Sequence, residues 1–90
     1  MVLSVNYPNP FNTLTTIQYQ LFKDGLVQAE IVNLQGQSVA TVVDAFQAAG
    51  VYHVQWNAGD LASGVYYCRL VQSFVGSQKT RSIHKMVLQK

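Results

Sequence analysis

Thr15-Thr16-Ile17-Gln18-Tyr19-Gln20-Leu21 alternates polar and apolar side chains from its second residue onward. Successive side chains of a β-strand point to opposite faces, so this pattern predicts a strand that turns Ile17, Tyr19 and Leu21 toward a core. The other face carries threonine and glutamine, which suit contact with water. A strand of this kind is half-buried and needs a second apolar layer to cover it.

The same period of two recurs along most of the chain. It predicts further strands over residues 2–5, 27–31, 38–43, 51–56, 65–71 and about 78–88. Glycine, aspartate and asparagine between these segments are typical turn residues. We therefore predict an all-β fold, an immunoglobulin-like β-sandwich of about seven antiparallel strands in two sheets, as one domain over residues 1–90. Only residues 43–49 are expected to form a helical turn, ended by Gly50.

Composition limits the possible functions. Apolar residues make up 49% of the chain and charged residues 11%, and the formal net charge is +2. That excess is too small to indicate a nucleic-acid partner, and no apolar stretch approaches the ~20 residues of a membrane helix. The first residues lack the pattern of a secretory signal, so any export signal is expected upstream. We expect a monomer without a transmembrane segment.

Residues able to carry chemistry are few and scattered. The carboxylates are Asp24, Glu30, Asp44 and Asp60. No two of them are placed together as hydrolysis of sugars requires. His53 and His84 lack the neighbouring ligands of a zinc site and are expected to be exposed, and Cys68 is expected to pack as a small hydrophobe. The sequence thus predicts no catalytic, cofactor or metal site.

Aromatic residues leave two interpretations open. Those in the apolar phase of their strands are predicted to be core residues: Tyr19, Tyr52, Trp56 and Tyr66. Those outside that phase are the better candidates for a carbohydrate-stacking surface: Tyr7, Phe11, Tyr67 and Phe74. Large aromatic residues are more often buried than used as a ligand platform, so the core interpretation is favoured.

The most specific stretch is Asn6-Tyr7-Pro8-Asn9-Pro10-Phe11-Asn12. Its two prolines fix their own φ angles and hold the preceding residues extended. Its asparagines can close local turns onto the backbone. We expect a stiff crossover between the edge strand and the first full strand, with Phe11 filling one end of the sandwich.

This stretch also begins a resemblance that extends over residues 6–90. The matching blocks that follow it are residues 15–19, 31–39, 49–50, 54–57 and 61–67, then Lys85-Met86-Val87-Leu88 and Lys90. In this order they resemble the C-terminal sorting domain of type IX secretion. Parts of the pattern are also similar to the immunoglobulin-like domain of the flagellar hook-capping protein.

The resemblance implies a non-catalytic module at the C-terminus of a secreted bacterial protein, such as a glycoside hydrolase. Its partners would be the outer-membrane secretion machinery, cell-surface components and the upstream cargo domain. The candidate sorting-signal residues are Gly64, Lys85, Met86, Val87 and Lys90. Met86 is expected to dock into the core, while Lys85 and Lys90 remain free to meet a receptor. The alternatives are a carbohydrate-binding accessory module of a glycoside hydrolase and a structural immunoglobulin-like spacer.

Overall fold

Seven β-strands make up the fold in a computed structural model that describes residues 2–74, 76 and 78–90, with side chains from Val5 onward. The strands are β1 (Val2–Tyr7), β2 (Leu14–Leu21), β3 (Gly25–Val32), β4 (Ser38–Gln47), β5 (Gly50–Asn57), β6 (Gly64–Ser73) and β7 (Lys79–Leu88). One sheet has the order β1-β2-β5 and the other the order β4-β3-β6-β7, with antiparallel pairing throughout both. The predicted all-β, immunoglobulin-like sandwich is confirmed. The connection expected over residues 73–77 includes Val75 and Ser77, which lie outside the described residues.

One predicted element is wrong. Residues 43–47, expected in a helical turn, instead continue β4 and pair with β3, from Val43 opposite Ala29 to Gln47 opposite Gly25. The local helix signal was weak, and β3 offers a backbone partner to this whole segment. Tertiary pairing therefore decides its conformation over local propensity.

Side chains between the two sheets follow the predicted phases. Ile17, Tyr19 and Leu21 of β2 are buried, as are the inward side chains of β3 and β6. The ring of Tyr19 stacks on that of Tyr52 with 5.3 Å between centroids, although Tyr52 itself is only half-buried. Trp56 is 7% exposed, so its predicted place in the core is confirmed.

Cys68 lies at the centre of β6 and is fully buried. Burial raises the pKa of its thiol to about 12, because a thiolate would lose its hydration there. The side chain is therefore protonated at neutral pH and acts in packing, as its alternation with Tyr66 and Leu70 predicts.

The two ends of the sandwich have different contents. The N-terminal end holds the start of β1, the turn between β2 and β3, and the paired ends of β6 and β7, where Ser73 lies opposite Lys79. The C-terminal end holds residues 8–13, the loop between β5 and β6, and the last residues of the chain. The start of β1 and the end of β7 thus lie at opposite ends of the molecule, whose longest dimension is 41 Å.

Replacement of Trp56 by alanine is expected to destabilise the domain by about 3–5 kcal/mol, the usual cost of removing a large aromatic side chain from a core. Urea unfolding followed by circular dichroism measures the change. Phe22→Ala is the control, since Phe22 is 58% exposed and its loss should cost little. Similar midpoints for the two variants would contradict the core assignment.

Candidate functional site

The end of β7 is hydrogen-bonded to the connection between β1 and β2. We call residues 6–13 together with residues 84–90 the C-terminal junction. The backbone N–H of Phe11 donates to the carbonyl of Val87 at 2.9 Å, and the N–H of Gln89 donates to the carbonyl of Phe11 at 2.8 Å. Phe11 and Leu88 form a parallel β-bridge. Phe11 thus adds one strand residue to the free edge of β7.

Asn9 extends this pairing with its side chain. Its Oδ1 accepts a hydrogen bond from the backbone N–H of Val87 at 3.0 Å, and its Nδ2 donates to the carbonyl of Lys85 at 3.5 Å. The carboxamide offers the same donor and acceptor as a peptide group, so it takes the place of a neighbouring strand. The sequence predicted local turn closure for this asparagine, whereas its partners lie at the other end of the chain.

Asn6 links the junction to a histidine. Its side-chain nitrogen donates to Thr15 Oγ1 at 3.1 Å and to the Pro8 carbonyl at 3.4 Å. Its Oδ1 is therefore the acceptor that faces His84 Nε2 at 2.6 Å, and His84 must donate from Nε2. His84 is half-buried, which corrects the expectation that it is exposed, and burial lowers its pKa.

The connection joins the edge strand β1 to β2, the first full strand, as expected. β1 and β2 are neighbours in one sheet, so residues 8–13 do not cross between sheets. They bend away from that sheet to meet β7, and the Thr13 carbonyl accepts from the N–H of Ala58 at 2.8 Å. Phe11 is 1% exposed, and its ring lies 5.8 Å from that of Trp56. Its predicted role of filling one end of the sandwich is confirmed, and its candidacy as a surface aromatic is wrong.

Three of the candidate signal residues follow one another on β7. Met86 is fully buried opposite Tyr66, as predicted. Val87 is half-buried and holds the junction through its backbone. Lys85 is exposed opposite Tyr67, and its side chain makes no hydrogen bond or ion pair within the described part of the chain.

The other two candidates lie at the C-terminal end. Gly64 is the first residue of β6 and lies opposite Leu88. Its φ of 157° is one that residues with a side chain rarely adopt. Lys90 donates from Nζ to the Gly59 carbonyl at 2.6 Å and from its backbone N–H to Ser63 Oγ at 3.0 Å. The expectation that Lys90 is free is therefore wrong, since it is tied to the loop between β5 and β6.

A family model matches nearly the whole chain. Residues 5–89 match the family model described as the secretion system C-terminal sorting domain. The chain belongs to this family. Searches of curated proteins and of solved structures return no match. The sorting domain serves type IX secretion, so the protein is exported and is either secreted or attached to the cell surface.

Within residues 2–74, 76 and 78–90, no group of three or more metal-binding side chains comes together. The same residues contain no helix long and apolar enough to cross a membrane. Of the proposed surface aromatics, Tyr7 lies on β1, Tyr67 on β6 and Phe74 beyond β6 at the N-terminal end. These positions do not form one carbohydrate platform.

Loss of the Asn9 side chain should destabilise the sorting domain, because Asn9→Ala removes two hydrogen bonds from β7. A typical intramolecular hydrogen bond contributes ~1 kcal/mol, so a loss of about 1–2 kcal/mol is expected in urea unfolding. Asn12→Ala is the matched control, since Asn12 Oδ1 accepts only from the neighbouring Thr13 hydroxyl within the described residues. Equal stability of the two variants would show that Asn9 does not hold the strand.

Acidification should weaken the fold through His84. Because burial lowers the pKa of His84 in the folded protein below the 6.5 of an unperturbed histidine, the unfolded chain takes up a proton first as the pH falls. The contribution of His84 to the free energy of unfolding is fully present above about pH 6.5. It is lost as the pH falls from there toward the pKa of His84 in the folded protein. Thermal melts between about pH 7.5 and about pH 5.5, above the range of ordinary carboxylates, should show this decline.

The matched variants are His84→Gln, which should flatten the pH dependence, and His53→Gln on the exposed surface of β5, which should not. An unchanged pH dependence in His84→Gln would assign the effect to another group.

Proposed function

We propose that this domain is the non-catalytic C-terminal module of a secreted bacterial protein, such as a glycoside hydrolase. It directs type IX export and then holds its cargo at the cell surface. Family membership carries this proposal. The C-terminal junction supports it, since it fixes β7 in a folded surface that a receptor can recognise without any chemical step.

The candidate signal residues have different roles in this proposal. Met86 anchors β7 in the core, and Val87 joins it to the junction. Gly64 permits the φ of 157° with which β6 begins opposite Leu88. Lys90 fixes the end of the chain to the loop between β5 and β6. Lys85 is the residue offered to the receptor, because its ammonium group is exposed and unpaired within the described residues.

The direction of the strands supports the same function. A cargo domain joined ahead of β1 would reach the sandwich at its N-terminal end, where β1 begins opposite the end of β2. The candidate residues lie toward the other end of a molecule 41 Å long. A folded cargo would therefore leave the surface around Lys85 and Lys90 accessible.

A carbohydrate-binding role is the second candidate, favoured by one cavity at the N-terminal end. It has a volume of about 500 Å³ and is lined in part by Phe22, Phe74 and Lys23. The Lys23 ammonium group lies 5.9 Å from the centroid of the Phe74 ring. Ligand pockets commonly have ~300–1,000 Å³, and aromatic rings suit stacking on sugars. Retention on polysaccharide that Phe74→Ala abolishes would favour this candidate over sorting.

Export of a passive reporter fused to this domain tests the sorting function in a host with type IX secretion. The wild-type fusion should reach the surface. Lys85→Ala should lower delivery by about tenfold, which corresponds to ~1.4 kcal/mol of receptor contact. Lys23→Ala is the control, an exposed lysine at the other end of the sandwich. Removal of Gln89 and Lys90 should also lower delivery.

Thermal melts of each purified domain separate loss of recognition from loss of folding. Retention of the wild-type fusion inside the cell would refute the export function. Normal delivery of Lys85→Ala and of the truncated domain would refute only the assigned residues.

A further inference from the structure

β7 lies at the edge of its sheet, and part of that edge is open. Its register with β6 runs without a bulge from Leu88 opposite Gly64 to Lys79 opposite Ser73. Val87 directs both its N–H and its carbonyl away from β6, toward Asn9 and Phe11.

The direction of the backbone N–H and carbonyl groups alternates from one residue of a strand to the next. Arg81 and Ile83 therefore direct these groups away from β6, as Val87 does. Within the described residues, no element hydrogen-bonds to these groups of Arg81 or Ile83. The junction therefore covers the edge over residues 85–89, and within the described residues it leaves the outward N–H and carbonyl groups of Arg81 and Ile83 without a hydrogen-bond partner.

Side chains along this open edge are basic and apolar. The side chains of Lys79, Arg81 and Lys85 lie on the outer face of the sheet and are exposed. Ile83, between Arg81 and Lys85 on the same face, is 65% exposed. These are three of the six lysine and arginine residues of the chain. None of the three forms an ion pair within the described residues, where Glu30 pairs with Arg69 of β6 at 3.4 Å.

The other edge strands lack this combination. The pairing of β1 with β2 and of β4 with β3 is interrupted by register shifts, which disturb the edge geometry that an added strand needs. β5 pairs regularly with β2, but Gly50–Asn57 contains no lysine, arginine, aspartate or glutamate. Among the four edges, as far as the structure describes them, β7 alone combines a regular backbone with several charges of one sign.

We propose that the open edge of β7 at residues 79–83 accepts an extended, acidic segment of the secretion machinery as an additional β-strand. The inference rests on the proposed export function and names how the partner binds. Backbone hydrogen bonds to Arg81 and Ile83 supply affinity, and carboxylates beside Lys79 and Arg81 supply selectivity. Asn9 and Phe11 occupy the rest of the edge and so fix where the added strand stops.

Charge on an edge strand also prevents pairing between copies of the same protein. That role is compatible with docking, because like charges on two β7 strands repel each other while an acidic segment is attracted. The exposed side chain of Ile83 suits the docking role, because an added strand can bury part of it. The peptide experiment below distinguishes docking from edge protection alone.

The first experiment measures amide hydrogen exchange of the wild-type domain by NMR with a synthetic peptide of alternating glutamate and valine. The Arg81 and Ile83 amides should be slowed by about tenfold or more at saturation, as new hydrogen bonds to an added strand require. A peptide of alternating lysine and valine is the control and should give no protection. Absence of protection by the acidic peptide, or equal protection by both, would overturn the inference.

The second experiment uses paired variants of the exposed Ile83. Ile83→Pro removes the outward N–H without removing a hydrogen bond to β6, which edge strands tolerate, and Ile83→Thr keeps the N–H on a β-branched residue. Ile83→Pro should abolish peptide binding and reporter export, while Ile83→Thr keeps both.

Lys79→Glu with Arg81→Glu should reverse the peptide preference even if the proline variant proves unstable. Export of Ile83→Pro at the level of Ile83→Thr would refute the docking edge. Failure of the wild-type fusion to leave the cell would refute the export function, and the peptide experiment would still decide the edge.

Discussion

Pairing between Phe11 and β7 is the interaction on which the rest of this structure depends. The backbone of Phe11 bonds to Val87 and Gln89, while its ring packs in the core beside Trp56. One residue of the β1–β2 connection thereby joins the three-stranded sheet to the last strand of the four-stranded sheet. Burial of an aromatic side chain contributes roughly 1.5–3 kcal/mol, and each net hydrogen bond ~1 kcal/mol. The pairing closes one side of the sandwich in a domain whose single cysteine, Cys68, is free.

Strand phases could be predicted from the sequence because every second side chain of a strand is buried, and this burial appears as a local alternation of apolar and polar residues. Alternation placed Met86 and Trp56 in the core without knowledge of their partners. The junction could not be found in this way. Asn9 and Val87 are 78 positions apart, as are Asn6 and His84, and the local pattern of an asparagine does not reveal which distant group it will bond. The end of β4 was misjudged for the same reason, since its partner strand decides its conformation.

Exposure alone does not define a free lysine, as the two lysines of the terminal motif show. Lys85 points outward from a regular strand and has no acceptor within the described residues. Lys90 is also exposed, yet its ammonium group is held by the Gly59 carbonyl. The sequence placed both in one class because both belong to the terminal motif that resembles the family. The two ammonium groups differ because the loop between β5 and β6 brings the Gly59 carbonyl close to Lys90.

Stability and the proposed recognition use different parts of the same strand. Met86 and Leu88 hold β7 from the inside, and the junction holds the C-terminal part of its edge. Lys79, Arg81 and Lys85 lie on the outward phase, where their charges form no ion pair within the described residues. A partner that reads these charges would therefore break no contact of the free domain. It would meet a strand whose backbone is already fixed, so little conformational entropy of this domain would be lost on binding. This separation would allow one segment to be both an integral strand of the sandwich and the surface that we propose the secretion machinery recognises.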